Sequence, residues 1–138
     1  MNVASMAGNL TNKYSSSIRN AFLASKTVED VTKLMDSFTS SVDAGTHSQD
    51  GWPSAAYSVS KSGLIGATRA LAAEERAKRP EKGLLLNSCC PGYVATDMTK
   101  GGGFKNVDQG AQTPVLLALG DLGGRSGEFW QDERVKAW

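Results

Sequence analysis

The chain has 138 residues, enough for one ordinary domain and too few for two. Its 40% hydrophobic and 21% charged residues are typical of a globular protein, and a net charge of +1 gives no attraction to nucleic acid or to an anionic membrane surface. The sequence has no apolar run near the ~20 residues that span a bilayer and no signal-peptide pattern. Adjacent Cys89 and Cys90 exclude a disulfide scaffold and favour a reducing, cytoplasmic compartment, and a single histidine, His47, excludes most histidine metal sites.

The first half of the chain predicts a short strand and two helices. Residues 1–8 read as a strand that runs into a turn, and residues 16–26 predict a helix. Thr27 and Asp30 fit a capping box at the start of a second, amphipathic helix that ends near Gly45. The apolar positions of that helix are Val31, Leu34, Met35, Phe38 and Val42.

The second half predicts two further helices and two strands. Residues 55–79 show the longest helical pattern, and Pro80 ends it. Residues 84–90 suit a buried parallel strand, residues 108–119 a helix with a proline inside it, and residues 127–131 a last strand. The predicted buried face of the 108–119 helix consists of Ala111, Val115, Leu116 and Leu119.

Long helices between short apolar strands favour βαβ crossovers and therefore an α/β fold with a Rossmann-like, doubly wound parallel sheet. In such sheets ligands bind beyond the carboxyl ends of the strands. We therefore look for chemistry in the segments that follow Ser5, Cys90 and Gln131.

Tyr57 and Lys61 stand four residues apart on the longest predicted helix, so their side chains share one face. A phenol has a pKa near ~10 and is a poor acid at neutral pH, but a nearby ammonium stabilises the phenolate and lowers that pKa. The pair suits general acid catalysis. The same pattern also fits an interfacial tyrosine beside a lysine whose alkyl stem packs on apolar surface while its ammonium reaches the solvent, and the spacing alone leaves both interpretations open.

Two other segments fall at the same predicted edge of the sheet. Ser5 ends the first strand, where its hydroxyl can donate to a substrate carbonyl oxygen. Residues 91–96 follow the next strand, where their backbone can meet a planar amide and Thr96 can anchor an amide or a phosphate. Each segment also has a plainer interpretation. Ser5 can simply form a turn, and Pro91-Gly92 can simply mark a loop.

Three segments in this order resemble the short-chain dehydrogenase/reductase family: NVAS ending at Ser5, AYSVSK at 56–61 and CCPGYVATDM at 89–98. The resemblance covers essentially the whole chain. Residues 6–56, fifty-one in all, separate the serine from the tyrosine, where most family members have far fewer. This long insert, helical at about 12–46, and the closing GEFWQDERVKAW are similar to the carbonyl reductases of the monomeric type.

The resemblance implies an enzyme that uses NADPH to reduce ketone, aldehyde or quinone carbonyls, with no metal, nucleic acid or membrane partner. It implies that Tyr57 gives a proton to the carbonyl oxygen, that Lys61 lowers the pKa of Tyr57 and holds the nicotinamide ribose hydroxyls, and that Ser5 polarises the substrate. The residues implied to border the nicotinamide and its phosphate are Pro91, Gly92, Val94 and Thr96. Those implied to line an adaptable apolar substrate pocket are Met6, Tyr93 and Met98.

The resemblance also implies a glycine-rich TGxxxGxG turn that holds the pyrophosphate, and this sequence contains none. We therefore expect residues 1–138 to form the carboxyl-terminal half of one Rossmann-type domain, with an incomplete sheet, no dinucleotide-binding half and weak NADPH binding as an isolated chain. One alternative stays open, a non-catalytic fragment that is stable only with a partner or by self-association.

Overall fold

A four-stranded sheet lies between helices in the computed structural model, which describes residues 1–11 and 13–138. The strands are, in spatial order, β1 (Asn2–Val3), β2 (Ser88–Cys90), β3 (Phe129–Gln131) and β4 (Arg134–Lys136). The pairs β1–β2 and β2–β3 are parallel, and β4 is antiparallel to β3. The predicted α/β class with an incomplete Rossmann-like sheet is confirmed, and an antiparallel strand at its edge is a common addition to such sheets.

The four predicted helices are present in the described residues, close to their predicted limits. They are α1 (Ser16–Ala24), α2 (Val28–Asp43), α3 (Ala56–Lys78) and α4 (Val107–Leu119). The cap of α2 has the predicted form, because the Thr27 hydroxyl accepts from the Asp30 N–H at 3.1 Å. In return, the Asp30 carboxylate accepts from the Lys26 and Thr27 N–H groups at 3.0 Å each.

Replacing Thr27 with alanine is expected to lower the free energy of unfolding by about 1 kcal/mol, because the N–H of Asp30 loses its partner. Chemical denaturation measures the loss. Thr32→Ala is the matched control, since it removes an exposed hydroxyl one turn further along and should change stability by less than about 0.5 kcal/mol. Equal losses in the two variants would contradict the capping role.

The same cap makes stability depend on pH. The N–H groups of Lys26 and Thr27 hold the pKa of Asp30 below its ordinary value. A carboxyl with a lowered folded pKa stabilises the fold above its unfolded pKa, near ~3.9, and loses that effect as the pH falls through the folded pKa. We therefore expect the Asp30 contribution at neutral pH and its loss in acid.

An aromatic cluster fixes the helical insert against α3. Phe22 is 1% exposed, and its ring makes edge contacts with Tyr14, Trp52 and Trp138 at centroid distances of 6.3, 6.1 and 5.8 Å. Trp52 lies in the connection between α2 and α3 and is buried in this cluster. Helices α1 and α2 are thereby anchored to the helix that carries Tyr57 and Lys61.

The two faces of the sheet are covered by different helices. Cys90 and Phe129 pack with Ile65 of α3 on one face, whereas Cys89 and Trp130 pack with Leu117 of α4 on the other. Successive residues of a strand point to opposite faces, so the adjacent cysteines lie on opposite sides of the sheet. Burial raises the pKa of the Cys89 thiol to about 11.

Two strands differ from their prediction. The predicted apolar strand forms only at Ser88–Cys90, because Leu84 and Leu85 lie exposed in the connection after α3. Strand β4 is not predicted from the sequence, and it follows a turn where Asp132 and Glu133 have φ angles of 51° and 58°. Two-residue turns of this kind usually carry asparagine or glycine, so the sequence lacks the usual signal.

The predicted buried face of α4 is wrong at three of its four positions. Ala111 is exposed, Val115 is 52% exposed and Leu119 is 85% exposed, whereas Leu116 is half-buried beside Leu117. The fully buried positions are Gly110, Thr113 and Leu117. This side of α4 packs closely against the loop after β2. A Cβ at Gly110 would lie only 2.6 Å from the Cγ2 atom of Val94. Small residues therefore form this contact, and hydrophobicity alone points to the opposite face.

Candidate active site

A cleft of about 1030 Å³ opens where β1 and β2 end, beside the start of α3. Every residue that the sequence analysis assigns to the site lines this cleft. They are Ser5, Met6, Tyr57, Lys61, Pro91, Gly92, Tyr93, Val94, Thr96 and Met98. The structure thus brings together three segments that are far apart in the chain, at the sheet edge where parallel α/β proteins bind ligands.

Tyr57 and Lys61 occupy the first two turns of α3. The Tyr57 side chain is 60% exposed, and the Lys61 Nζ atom lies 5.6 Å from the centre of its ring. The same ammonium donates to the Val3 carbonyl oxygen at 3.3 Å. Because an ammonium carries three N–H groups, two remain for a ligand that enters the cleft.

Ser5 lies just beyond β1 and caps the short 3-10 turn Met6–Gly8. Its Oγ atom accepts from the Ala7 N–H at 3.1 Å. This bond uses an oxygen lone pair and leaves the hydroxyl proton for donation. Ser5 can therefore be both a turn former and a donor to a ligand, so the two interpretations of its sequence position are compatible.

A lysine that sequence reasoning did not identify holds the loop after β2. The Lys105 Nζ atom donates to the Pro91 carbonyl at 3.3 Å and pairs with Asp132 Oδ1 at 2.6 Å. Its stem lies beside Gly92, where an added Cβ would be 3.1 Å from the Lys105 Cδ atom. The Lys105 hydrogen bond keeps the pKa of Asp132 below its ordinary value, so this carboxylate is ionised at neutral pH.

Thr99 braces the opposite end of this loop. Its Oγ1 atom donates to the Val94 carbonyl at 2.8 Å and accepts from the Thr96 N–H at 3.0 Å. The backbone of residues 94–96 is thereby fixed against the cleft.

An apolar rim borders the cleft. The rings of Tyr93 and Phe104 meet edge to face with centroids 5.7 Å apart, and Met98 and Phe104 are each 93% exposed. Exposed apolar side chains beside a cleft are typical of ligand-binding surfaces.

Within residues 1–11 and 13–138, no group of three or more His, Cys, Asp and Glu side chains is arranged to hold a metal ion. In the same described residues, no helix combines the length and the apolar character needed to cross a membrane.

The chain is similar to several known proteins. The family model described as short chain dehydrogenase matches residues 37–103. The chain is 41% identical to carbonyl reductase (NADPH) 1 of Mus musculus and 40% identical to that of Homo sapiens, each over 114 residues, which are 81% of this chain and 41% of the relative. Carbonyl reductase (NADPH) 3 of Rattus norvegicus is 41% identical over 111 residues, 79% of this chain and 40% of the relative.

Among solved structures, salutaridine reductase from Papaver somniferum superposes with a TM-score of 0.79 at 30% identity, covering 94% of this chain and 44% of that one. These matches support a place for the chain in the short-chain dehydrogenase/reductase family. The chain is similar to the carbonyl reductases, and it spans about two fifths of the length of the relatives that it matches.

Proposed function

We propose that this cleft reduces a ketone, aldehyde or quinone carbonyl to the alcohol with hydride from NADPH. One observation carries the proposal: Ser5, Tyr57 and Lys61, which are widely separated in the sequence, line a single cleft. Similarity to carbonyl reductases whose names specify NADPH supports it.

The residues of the cleft suit a nicotinamide nucleotide. Gly92 lines the cleft with a φ of 92°, so no side chain stands between its backbone and a planar amide. The two remaining N–H groups of Lys61 suit ribose hydroxyls. We assign Tyr57 and Lys61 to the ribose, and Pro91, Gly92, Val94 and Thr96 to the nicotinamide side. When bound, the nucleotide supplies the hydride.

The chain's own groups then handle the carbonyl oxygen. Ser5 donates a hydrogen bond to that oxygen and polarises the C=O bond. Tyr57 transfers its phenolic proton to the oxygen as the carbonyl carbon is reduced, and the Lys61 ammonium stabilises the phenolate that remains. The exposed phenolate regains a proton from solvent. Met6, Tyr93 and Met98 pack against the apolar part of the substrate, and their adaptable side chains favour broad acceptance.

Three further assignments belong to the same proposal. Residues 1–138 act as the carboxyl-terminal, catalytic half of a Rossmann-type domain, with α1 and α2 as the insert. The protein acts as a monomer, because the insert occupies a surface of α3 that is otherwise available for association. It acts in the cytoplasm, which its two free thiols favour.

The test measures the loss of NADPH absorbance with a simple quinone or dione as the carbonyl substrate. NADPH is supplied at concentrations up to the millimolar range. We expect slow turnover that scales with protein and falls at least about a hundredfold in Lys61→Met, because the phenolate loses its ammonium. Lys82→Met is the matched control, since Lys82 lies beyond the far end of α3 and should leave the rate unchanged. No turnover above the blank, or equal rates for Lys61→Met and the parent, would refute the proposal. Concentration-dependent association without turnover would instead favour the non-catalytic alternative.

A further inference from the structure

The turn that follows Ser5, Met6–Gly8, packs closely against α3. Gly8 is buried, and an added Cβ would lie 2.6 Å from the Lys61 carbonyl carbon. The Gly8 N–H donates to the Ser5 carbonyl at 2.9 Å, and the Ala7 N–H donates to the Ser5 hydroxyl. The position of Gly8 therefore sets the position of Ser5 relative to the helix that carries Tyr57 and Lys61.

Two side chains donate to the Gly8 carbonyl oxygen. Ser62 Oγ and Trp138 Nε1 each lie 2.8 Å from it, so both lone pairs of the oxygen are used. The Ser62 hydroxyl has one proton, and we assign it to the Gly8 carbonyl, because that oxygen lies at 2.8 Å and the Ser58 carbonyl at 3.1 Å. With the proton placed there, Tyr14 is the donor in its 2.7 Å bond with Ser62 Oγ. The protons run in one direction, from Tyr14 to Ser62 to Gly8, which strengthens each bond.

The donors are themselves held in place. Tyr14 is 3% exposed and Ser62 is fully buried. Burial raises the pKa of Tyr14, so its phenol keeps the proton that it donates. The Trp138 ring lies against Phe22 and under the Arg69 guanidinium, at 5.8 and 5.1 Å. None of the three donors lines the cleft.

We propose that Tyr14, Ser62 and Trp138 are positioning residues that hold the Ser5 hydroxyl in register with Tyr57 and Lys61 by way of the Gly8 carbonyl. Ser62 follows Lys61 directly in α3, so its bond to Gly8 links the serine turn to the helix at the position of the lysine. The inference rests on the proposed function, because a fixed position of Ser5 relative to Tyr57 and Lys61 matters for catalysis only if these residues act on one substrate.

Amide hydrogen exchange tests the anchoring without any need for activity. Tyr14→Phe and Trp138→Phe each remove one donor and keep an aromatic ring. We expect exchange at Ala7 and Gly8 to become about five- to tenfold faster in each variant and faster still in the double variant. Thr113→Val is the control, because it removes a buried hydroxyl that accepts from the Glu133 N–H on the other side of the sheet. Changes at Ala7 and Gly8 no larger than in the control would overturn the inference.

A double-mutant cycle tests the catalytic purpose. We expect Tyr14→Phe to lower kcat about tenfold in the parent, with the KM for NADPH unchanged, and to have no further effect when Ser5→Ala is already present. A merely structural defect would lower the rate equally in both backgrounds, and that result would overturn the positioning role. If the parent has no turnover at all, the proposed function fails, whereas the exchange measurement still decides whether these side chains hold the turn.

Discussion

Replacing Tyr57 with phenylalanine is expected to lower the turnover of carbonyl reduction about a thousandfold. The change removes the one phenolic proton that we assign to the carbonyl oxygen and keeps the ring. Because the side chain is 60% exposed, the variant should fold as the parent does. Steady-state rates of NADPH oxidation with a dione measure the effect.

The dissociation constant for NADPH should stay within about threefold in this variant, since Lys61 still holds the ribose and the lost hydroxyl contributes chiefly to the chemical step. Ser60→Ala is a suitable control, because it removes an exposed hydroxyl from the same turn of α3. Unchanged turnover in Tyr57→Phe would contradict the assigned acid role, and a parallel loss in Ser60→Ala would point to damage of the helix instead.

Replacing Phe22 with alanine is expected to lower the free energy of unfolding by about 3–5 kcal/mol, the cost of emptying an aromatic site in a packed core. Its ring touches three other aromatic rings, from the connection before α1, from the segment before α3 and from the closing segment after β4, so neighbours on several elements lose contacts at once. Urea or guanidinium denaturation followed by circular dichroism measures the loss.

Leu23→Ala is the matched control for Phe22, since Leu23 is the next residue of α1 and is 49% exposed. Its truncation should cost less than about 1 kcal/mol. Comparable losses in the two variants would show that α1 is stabilised by its own helical propensity and not by the aromatic cluster.

The local features of this fold are readable from the sequence. Helix α2 is capped by Thr27 as predicted, because a capping box involves only four consecutive residues. The convergence of the Ser5, Tyr57 and Lys61 segments follows from the rule that parallel strands end at one edge. Their roles in catalysis remain predictions that the experiments above address.

Contacts between residues far apart in the chain leave no local signal in the sequence. Trp138 and Gly8 are 130 positions apart, and Lys105 and Asp132 are 27 apart, so no periodicity or spacing connects them. Leu119 shows a different limit, since hydrophobicity predicts it to be buried although the helix turns its small residues inward. Shape complementarity at Val94 decides that orientation.

Helix α3 serves two purposes at once. Its first turns present Tyr57 and Lys61 to the cleft, and its buried side packs on the sheet through Ile65 and in the aromatic cluster through Val59 and Ala70. The reacting groups therefore cannot drift while the hydrophobic interior stays intact. Heating should consequently abolish the proposed catalysis and unfold the tertiary structure over the same temperature interval. Residual activity would then report the fraction of folded protein.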